Sequence, residues 1–164
     1  MRFIADAMLG TLAKWLRILG YDTLFDAGLN DHQLARLARA ENRVLLTRDH
    51  ELARRRGLHA LLVAGEHLDD QVRQVLADLS LAPDRAFSRC PVCNQLLETI
   101  DRETAQARVP AYVIQTHDSF SRCPACQRVY WRGTHWQQMD SQLAQILEGE
   151  SASEADETPG GKLT

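Results

Sequence analysis

Residues 1–25 read MRFIADAMLGTLAKWLRILGYDTLF, and this stretch indicates the fold class. Residues 2–5 are a short apolar run of strand length that ends at an acid. Leucines at helical spacing follow, namely Leu9, Leu12, Leu16 and Leu19. Gly20 is suited to cap that helix at its carboxyl end, and residues 22–25 can form a second strand. This order of strand, helix and strand is the start of an α/β pattern.

The same alternation continues to about residue 80. Asn30 or Asp31 is expected to cap the next helix, and Asp69 or Asp70 the last one. Between them the pattern predicts a buried strand, a short Arg-rich helix and a further strand, at residues 44–47, 50–56 and 59–64. Parallel strands joined by helices are covered on both faces. The sequence therefore predicts a three-layer α/β/α domain with a parallel sheet over residues 1–86.

The bulk composition is that of a soluble globular chain. The 164 residues are 45% hydrophobic and 25% charged, with a net charge of -3. Five acids and one lysine lie in residues 148–164, so the rest of the chain is close to neutral and its charge neither favours nor excludes a nucleic-acid partner. No apolar run has the length of a membrane span. The start predicts a strand rather than a secretory signal, so a cytoplasmic location is expected.

A second unit is marked by a repeated seven-residue phrase. FSRCPVC occupies residues 87–93 and FSRCPAC occupies residues 120–126. The cysteines of these two knuckles are Cys90, Cys93, Cys123 and Cys126. Four thiolates from two tight turns favour a zinc ribbon over residues 87–136, with a structural Zn²⁺ that has no open position for substrate. A redox pair of thiols is the alternative.

Further features of this half can be read from the sequence. Asn94 and Gln127 follow the two knuckles, where a left-handed conformation is often needed, and Gln127 suits it less well than glycine. We expect a hairpin with residues 96–99 opposite residues 112–115. Three aromatic residues are expected in the small core of the ribbon, namely Tyr130, Trp131 and Trp136. Residues 137–148 predict an amphipathic helix that packs back on a domain, and residues 149–164 have the composition of a disordered tail.

Three carboxylates are predicted at one edge of the parallel sheet. Asp6 ends the first strand, Asp31 opens the helix after the second strand, and Asp49 follows the third strand. Ligands bind open α/β sheets at the carboxyl ends of the strands, and acids gathered there repel each other unless a cation neutralises them. Oxygen ligands of this kind suit Mg²⁺ or Mn²⁺. Each aspartate could instead be an ordinary helix N-cap worth about 1 kcal/mol.

Basic residues near this edge are candidates for holding phosphate. Arg48 lies beside Asp49, and Lys14 shares a face of the first helix with Arg17. A solvated helix face explains Lys14 and Arg17 equally well. The three arginines at residues 54–56 could follow an RNA backbone, or they could be cations that favour a helix C-terminus.

Several segments together resemble a known family. They are FIADAMLG at residues 3–10, LAKWLR at residues 12–17, LTRD at residues 46–49 and the two knuckles. This combination is similar to the Mut-seven-C RNase domain family, PIN-like proteins with an appended zinc ribbon. The resemblance implies a PIN-like α/β/α fold, metal-dependent RNA cleavage and acidic site residues at Asp6, Asp31 and Asp49. Glu51 is the nearest candidate for a fourth acid.

The leading hypothesis is therefore an endoribonuclease that acts on RNA. Asp6 and Asp49 would ligate Mg²⁺ or Mn²⁺, Asp31 would complete the shell, and Arg48 and Lys14 would hold phosphate. The alternative is a non-catalytic RNA- or protein-binding module that works through the ribbon. A phosphotransferase is disfavoured because such enzymes usually have an acid two residues after the first, where this chain has Met8. PIN-like domains often pair, but no dimer face is marked, so a homodimer stays open, as does endo- versus exonucleolytic cleavage.

Overall fold

The computed structural model describes residues 1–148, apart from the side chain of His135. Its first half contains a four-stranded sheet in the order β2-β1-β3-β4, and every pair of neighbours is parallel. The strands are β1 (Arg2–Ala5), β2 (Asp22–Phe25), β3 (Val44–Thr47) and β4 (Ala60–Leu62). The predicted α/β class with a parallel sheet is confirmed.

Helices cover both faces of this sheet. They are α1 (Gly10–Ile18), α2 (Asp31–Ala40), α3 (His50–Ala53) and α4 (Leu68–Asp78). Successive side chains of a strand point to opposite faces. Phe3 and Ala5 accordingly pack in one core with residues of α1 and α4, whereas Ile4 packs in a second core with residues of α2 and α3. Both faces of the sheet are therefore buried, which gives the three layers expected from the sequence.

Some helix boundaries differ from the prediction. Asn30 caps α2 through a capping box with Gln33, so Asn30 rather than Asp31 is the cap. Neither Asp69 nor Asp70 caps α4, because His67 holds the cap position without a side-chain hydrogen bond. The two aspartates lie in the first turn of α4 instead, where the helix dipole still favours negative charge.

The second half is built around a three-stranded antiparallel sheet in the order β5-β6-β7. Its elements in chain order are β5 (Glu98–Ile100), α5 (Arg102–Gln106), α6 (Ala111–Thr116), β6 (Phe120–Arg122) and β7 (Val129–Trp131). The predicted hairpin is wrong, because residues 112–115 are helical and β6 pairs with β5 instead. The helices have clear local causes: Asp101 caps α5 by accepting from the Thr104 N–H at 2.7 Å, and Pro110 holds the N-cap position just before α6.

The last described element is α7 (Thr134–Glu148), which returns to the first core. Leu143 and Ile146 are buried there with residues of α1 and α4. The prediction of an amphipathic helix that packs back is thus confirmed, although the helix starts three residues earlier. The predicted tail at residues 149–164 lies outside the described residues. Within residues 1–148, no helix has both the length and the apolar character that crossing a bilayer requires.

Candidate functional site

Asp6 lies at the carboxyl end of β1 and is only 8% exposed. One carboxylate oxygen accepts from the Met8 N–H at 3.0 Å and so caps the 3₁₀ turn Ala7–Leu9. The other oxygen accepts from the Thr47 hydroxyl and from the Arg48 N–H at 3.2 Å. Asp6 is therefore an N-cap, as its alternative interpretation predicted, and it is also fixed to the end of the neighbouring strand β3.

Asp49 lies two residues beyond β3 and its side chain is exposed. Its N–H donates to the Thr47 hydroxyl at 3.0 Å, so the same hydroxyl contacts both Asp6 and Asp49. Its Oδ1 accepts from the N–H groups of Leu52 at 3.0 Å and Glu51 at 2.7 Å. These two bonds lower the pKa of Asp49, which therefore stays ionised at neutral pH. Within residues 1–148, Oδ2 accepts no hydrogen bond and is open to a cation.

Asp31 is the first residue of α2, and Asn30 rather than Asp31 supplies the cap. The Asp31 carboxylate is 52% exposed and forms a salt bridge with Arg55 at 3.4 Å. Arg55 also contributes, less than the two backbone bonds, to the lowered pKa of Asp49. Arg55 thus lies near two of the three predicted acids. It belongs to the arginine run noted in the sequence, but nothing in the spacing distinguished it from Arg54.

The three carboxylates share one edge of the sheet without forming a closed ligand shell. In the described part of the chain, one group of three or more His, Cys, Asp or Glu residues has all its ligand atoms within 4.8 Å of one another, and it consists of the four cysteines. The donor set nevertheless suits Mg²⁺, which retains several waters and often takes only one or two carboxylates from protein. The carboxylate site for Mg²⁺ or Mn²⁺ stays a prediction.

Asp26 is a further acid at this edge that the sequence analysis did not select. It directly follows β2, and because Phe25 pairs with Ala5, Asp26 and Asp6 leave neighbouring strands at the same level. Its Oδ1 accepts from the Gly28 N–H at 2.9 Å. Its position directly after a strand, like that of Asp6, could have identified Asp26 as a candidate from the sequence. Glu51 is exposed in the first turn of α3, and its role as a fourth acid stays a prediction.

The predicted basic residues occupy different places. Arg48 is half-buried at the end of β3, next to Asp6 through its backbone. Lys14 is exposed on α1 and lines a cleft against the second half of the chain. Arg17 is 8% exposed, so the solvated-face alternative does not hold for it. The structure thus associates Arg48 with the carboxylate edge and Lys14 with a separate surface.

The four cysteines form a compact thiol cluster that could hold a metal such as zinc. All four sulfur atoms lie within 4.8 Å of one another, and Cys90 and Cys123 are buried while Cys93 and Cys126 are half-buried. The residues after the knuckles are left-handed as expected, with φ of 63° at Asn94 and 62° at Gln127. The predicted geometry of two knuckles facing one point is therefore present.

The charges of the thiols indicate why this cluster could hold a cation. The Arg128 N–H lowers the pKa of Cys126 to about 6, which favours a thiolate there. The hydrogen bond to Cys126, together with burial and the other thiols, raises the pKa of Cys93 to about 12. The four sulfurs therefore resist ionising together when they have no counter-ion. A divalent cation such as Zn²⁺ binds thiolates as ligands, so its charge would offset the repulsion among the four sulfurs.

The first knuckle is tied directly to the α/β half. The guanidinium of Arg17 donates to the carbonyls of Pro91 at 3.0 Å, Val92 at 2.9 Å and Thr23 at 2.8 Å. The Asn94 side chain accepts from the Thr23 N–H at 3.0 Å and donates to the Asp22 carboxylate at 2.7 Å. Arg17 is therefore a structural link between α1, β2 and the turn that contains Cys90 and Cys93.

Replacing Arg17 with methionine should lower the free energy of unfolding by about 3 kcal/mol. Methionine keeps much of the apolar stem but leaves three carbonyls without their charged donor, and such bonds are worth about 1.5–3 kcal/mol each. Part of that sum is offset, because burial of the guanidinium, which lowers the pKa of Arg17, is unfavourable and is relieved by the substitution. Urea unfolding measures the change. Arg108→Met is the matched control, because Arg108 is exposed and its side chain makes no hydrogen bond within residues 1–148. Equal loss in the two variants would contradict the assignment.

The aromatic residues only partly follow the prediction. Trp131 packs against the small core formed by Ala105, Val113 and Phe120. The Tyr130 hydroxyl lies 3.1 Å from the sulfur of Cys90. Trp136 stacks on Phe87, with ring centroids 3.7 Å apart, rather than entering that core. Tyr130 and Trp136 are both half-buried and line clefts.

Comparison with known proteins identifies a family. The model of the Mut7-C RNAse domain matches residues 1–143, which is most of the chain and includes both the carboxylate edge and the thiol cluster. No curated protein and no solved structure matches.

Proposed function

Since this chain belongs to the Mut7-C RNAse domain family, we propose that it is a metal-dependent ribonuclease that cuts RNA internally. The observation that supports the location of the chemistry is the Thr47 hydroxyl, which contacts both Asp6 and Asp49 at the ends of adjacent strands. The carboxylate of Asp6 and the backbone of Asp49, from remote parts of the chain, are thereby tied to one hydroxyl at this edge. Ligands bind open α/β sheets at this edge.

Three aspartates would hold the catalytic ion. Asp49 offers an oxygen without a hydrogen bond, Asp6 offers a rigidly oriented carboxylate, and Asp31 is exposed enough to bind directly or through water. A bound Mg²⁺ or Mn²⁺ supplies a water of lowered pKa and stabilises charge on the leaving oxygen. The chain's part is to orient the ligands, which the N–H groups of Arg48 and Leu52 do here.

Cations at the edge would hold the scissile phosphate. Arg48 is adjacent to Asp6, and Arg55 is paired with Asp31 in a salt bridge whose two side chains are 40% and 52% exposed. Exposed pairs of this kind contribute little energy, so Arg55 can exchange its carboxylate for a phosphate at small cost. When Arg55 does so, Asp31 becomes available to the ion. Lys14 would contact RNA farther along α1.

The thiol cluster is proposed as a structural Zn²⁺ site. Four cysteine ligands complete a tetrahedral shell, so no position is left for water or substrate. The residues that hold the ion would be Cys90, Cys93, Cys123 and Cys126. Chemistry and zinc binding are thus assigned to separate places in the chain.

RNA cleavage should depend on added divalent ions. We expect no cleavage of a circular single-stranded RNA by protein dialysed against buffer without divalent ions, and linear products once Mn²⁺ or Mg²⁺ is added. A circle has no ends, so its opening requires an endonuclease. Gel analysis detects the linear products. Bound zinc is measured in parallel, and no chelator is used because a chelator could remove metal from the thiol cluster. Cleavage at the same rate before and after the addition, or none with either ion, would contradict the proposal.

A second candidate function is a non-catalytic RNA-binding module. It is favoured by the open arrangement of the carboxylates and by the aromatic and basic cleft beside the thiol cluster. It predicts RNA binding that is unaffected by Mg²⁺ and survives simultaneous replacement of Asp6, Asp31 and Asp49. The circular-RNA assay separates the two functions, because a binding module leaves the circle intact.

A further inference from the structure

A cleft of about 200 Å³ separates α1 from the thiol-cluster half of the chain. Its walls combine aromatic rings with cations, and no acid from residues 1–148 lines it. The aromatic residues are Phe87, Tyr130 and Trp136, and the cations are Lys14, Arg89 and Arg128. An unpaired nucleotide has the complementary chemistry, with an apolar base face and a negative phosphate.

The aromatic surface continues beyond this cleft. Two neighbouring depressions, of about 440 and 380 Å³, share Tyr130 and Trp136 with it. The second of them is also lined by Arg132, whose guanidinium lies 5.4 Å from the ring centroid of Trp136. The aromatic surface is thus larger than a single cleft, and two of the three depressions also have Lys or Arg in their linings. Proteins that hold single strands combine aromatic stacking platforms with positive charge.

The local charge balance leaves Lys14 available for a ligand. Four thiolates with a divalent ion carry two net negative charges, and two arginines lie against them. Arg17 donates to the carbonyls of Pro91 and Val92 in the first knuckle, and Arg89 donates to the carbonyls of Gly20 and Asn94. Lys14, by contrast, is exposed and makes no hydrogen bond or ion pair within residues 1–148.

We propose that this cleft binds single-stranded RNA, with a base against Tyr130 and the edge of the stacked Trp136–Phe87 pair and a phosphate at Lys14. This inference rests on the proposed function, because it takes RNA as the ligand. Helix α1 connects the two places, since it starts at Gly10, just after the turn capped by Asp6. Lys14 lies four residues farther on, or about 6 Å along the helix axis. A strand held in the cleft is therefore close to the carboxylate edge.

Binding is measured with a fluorescent single-stranded oligonucleotide and full-length protein, without added Mg²⁺ or Mn²⁺ so that the RNA stays intact. Lys14→Glu should raise Kd about tenfold and reduce the slope of log Kd against log salt by about 0.7, the value for one lost phosphate contact on a single strand. Trp136→Leu should raise Kd by about tenfold, because it removes an aromatic wall of the cleft that a base would contact. A duplex of the same sequence should bind more weakly, because paired bases cannot stack on these half-buried rings.

Arg108→Glu is the control, because it changes the charge by as much as Lys14→Glu at an exposed site outside the cleft. Its Kd should stay within twofold of that of the unmodified chain. Equal Kd values for Lys14→Glu and the unmodified chain, or equal binding of duplex and single strand, would overturn the inference. The outcome is independent of catalysis: metal-dependent cleavage with unchanged binding by Lys14→Glu retains the nuclease and rejects the cleft. Weakened binding by Lys14→Glu, together with no metal-dependent cleavage by the unmodified chain, retains the cleft and rejects the nuclease.

Discussion

Replacing Asp6 with asparagine is expected to reduce metal-dependent RNA cleavage by at least about 100-fold. Loss of a group that merely orients a metal ligand typically costs 10–100-fold, so loss of a ligand itself should cost at least the upper value. Asparagine retains one oxygen, which can still cap the turn at Met8. In the unmodified chain, the Thr47 hydroxyl and the Arg48 N–H donate to a charged carboxylate oxygen. In the variant they meet either the amide NH₂ group or the single uncharged oxygen of asparagine. Initial rates at saturating Mn²⁺ measure the effect.

Asp101→Asn is the matched control for this substitution. Asp101 also caps a helix through one carboxylate oxygen, at 2.7 Å from the Thr104 nitrogen, but it lies in the second half of the chain. The cleavage rate of Asp101→Asn should equal that of the unmodified chain. The circular dichroism spectrum and the zinc content of both variants should also match those of the unmodified chain. An Asp6→Asn protein that is folded and still cleaves at the original rate would show that the carboxylate edge is not the active site.

Thr47 offers a finer test of the same arrangement. Its hydroxyl donates to Asp6 and accepts from the Asp49 N–H, so Thr47→Val removes both contacts at nearly constant volume. A change of this kind acts on ligand orientation, which is why its effect on cleavage should be smaller than that of Asp6→Asn.

The parallel sheet could be predicted because its signals are local. Each strand of the first half is a short apolar run next to a helical pattern, and Asn30 with Gln33 forms a capping box that a sequence displays directly. The knuckles were equally readable, since cysteine spacing and the left-handed residues Asn94 and Gln127 are set within a few positions. In both cases a short stretch of chain determines the feature.

The interactions that were missed are long-range. Arg17 was expected either to be a candidate for holding phosphate or to lie on a solvated helix face. Its contacts to Pro91 and Val92, some 75 residues away, depend on how two units pack. Arg55 stood in a run of three arginines, and only the fold shows which of them meets Asp31. The hairpin was wrong because residues 112–115 have the β-branched and aromatic content of a strand, whereas Pro110 favours a helix start.

Replacing Cys123 with serine should abolish zinc binding and unfold the β5-β6-β7 sheet. The buried core of this sheet consists of Ala105, Val113 and Phe120, with a few partly buried neighbours, which is too little apolar surface to hold a fold of this size alone. Structural zinc contributes on the order of 10 kcal/mol to such units. The Cys123 side chain is fully buried, so water cannot readily replace its sulfur as a ligand. Zinc content should fall from about one ion per chain to near zero.

The parallel sheet should survive this change, because its two cores contain most of the buried residues of the chain. Hydrogen exchange separates the two halves: amides of β6 should exchange freely in Cys123→Ser, whereas those of β1 and β3 stay protected. Ser121→Ala, two residues earlier on β6, is the control and should retain both zinc and protection, since its hydroxyl makes no hydrogen bond within the described residues. Retention of one zinc ion in Cys123→Ser would mean that Cys123 is not a required ligand, and loss of zinc with retained β6 protection would mean that the ion does not hold this half together. The contacts of Arg17 to the first knuckle would then be the principal support of the second half.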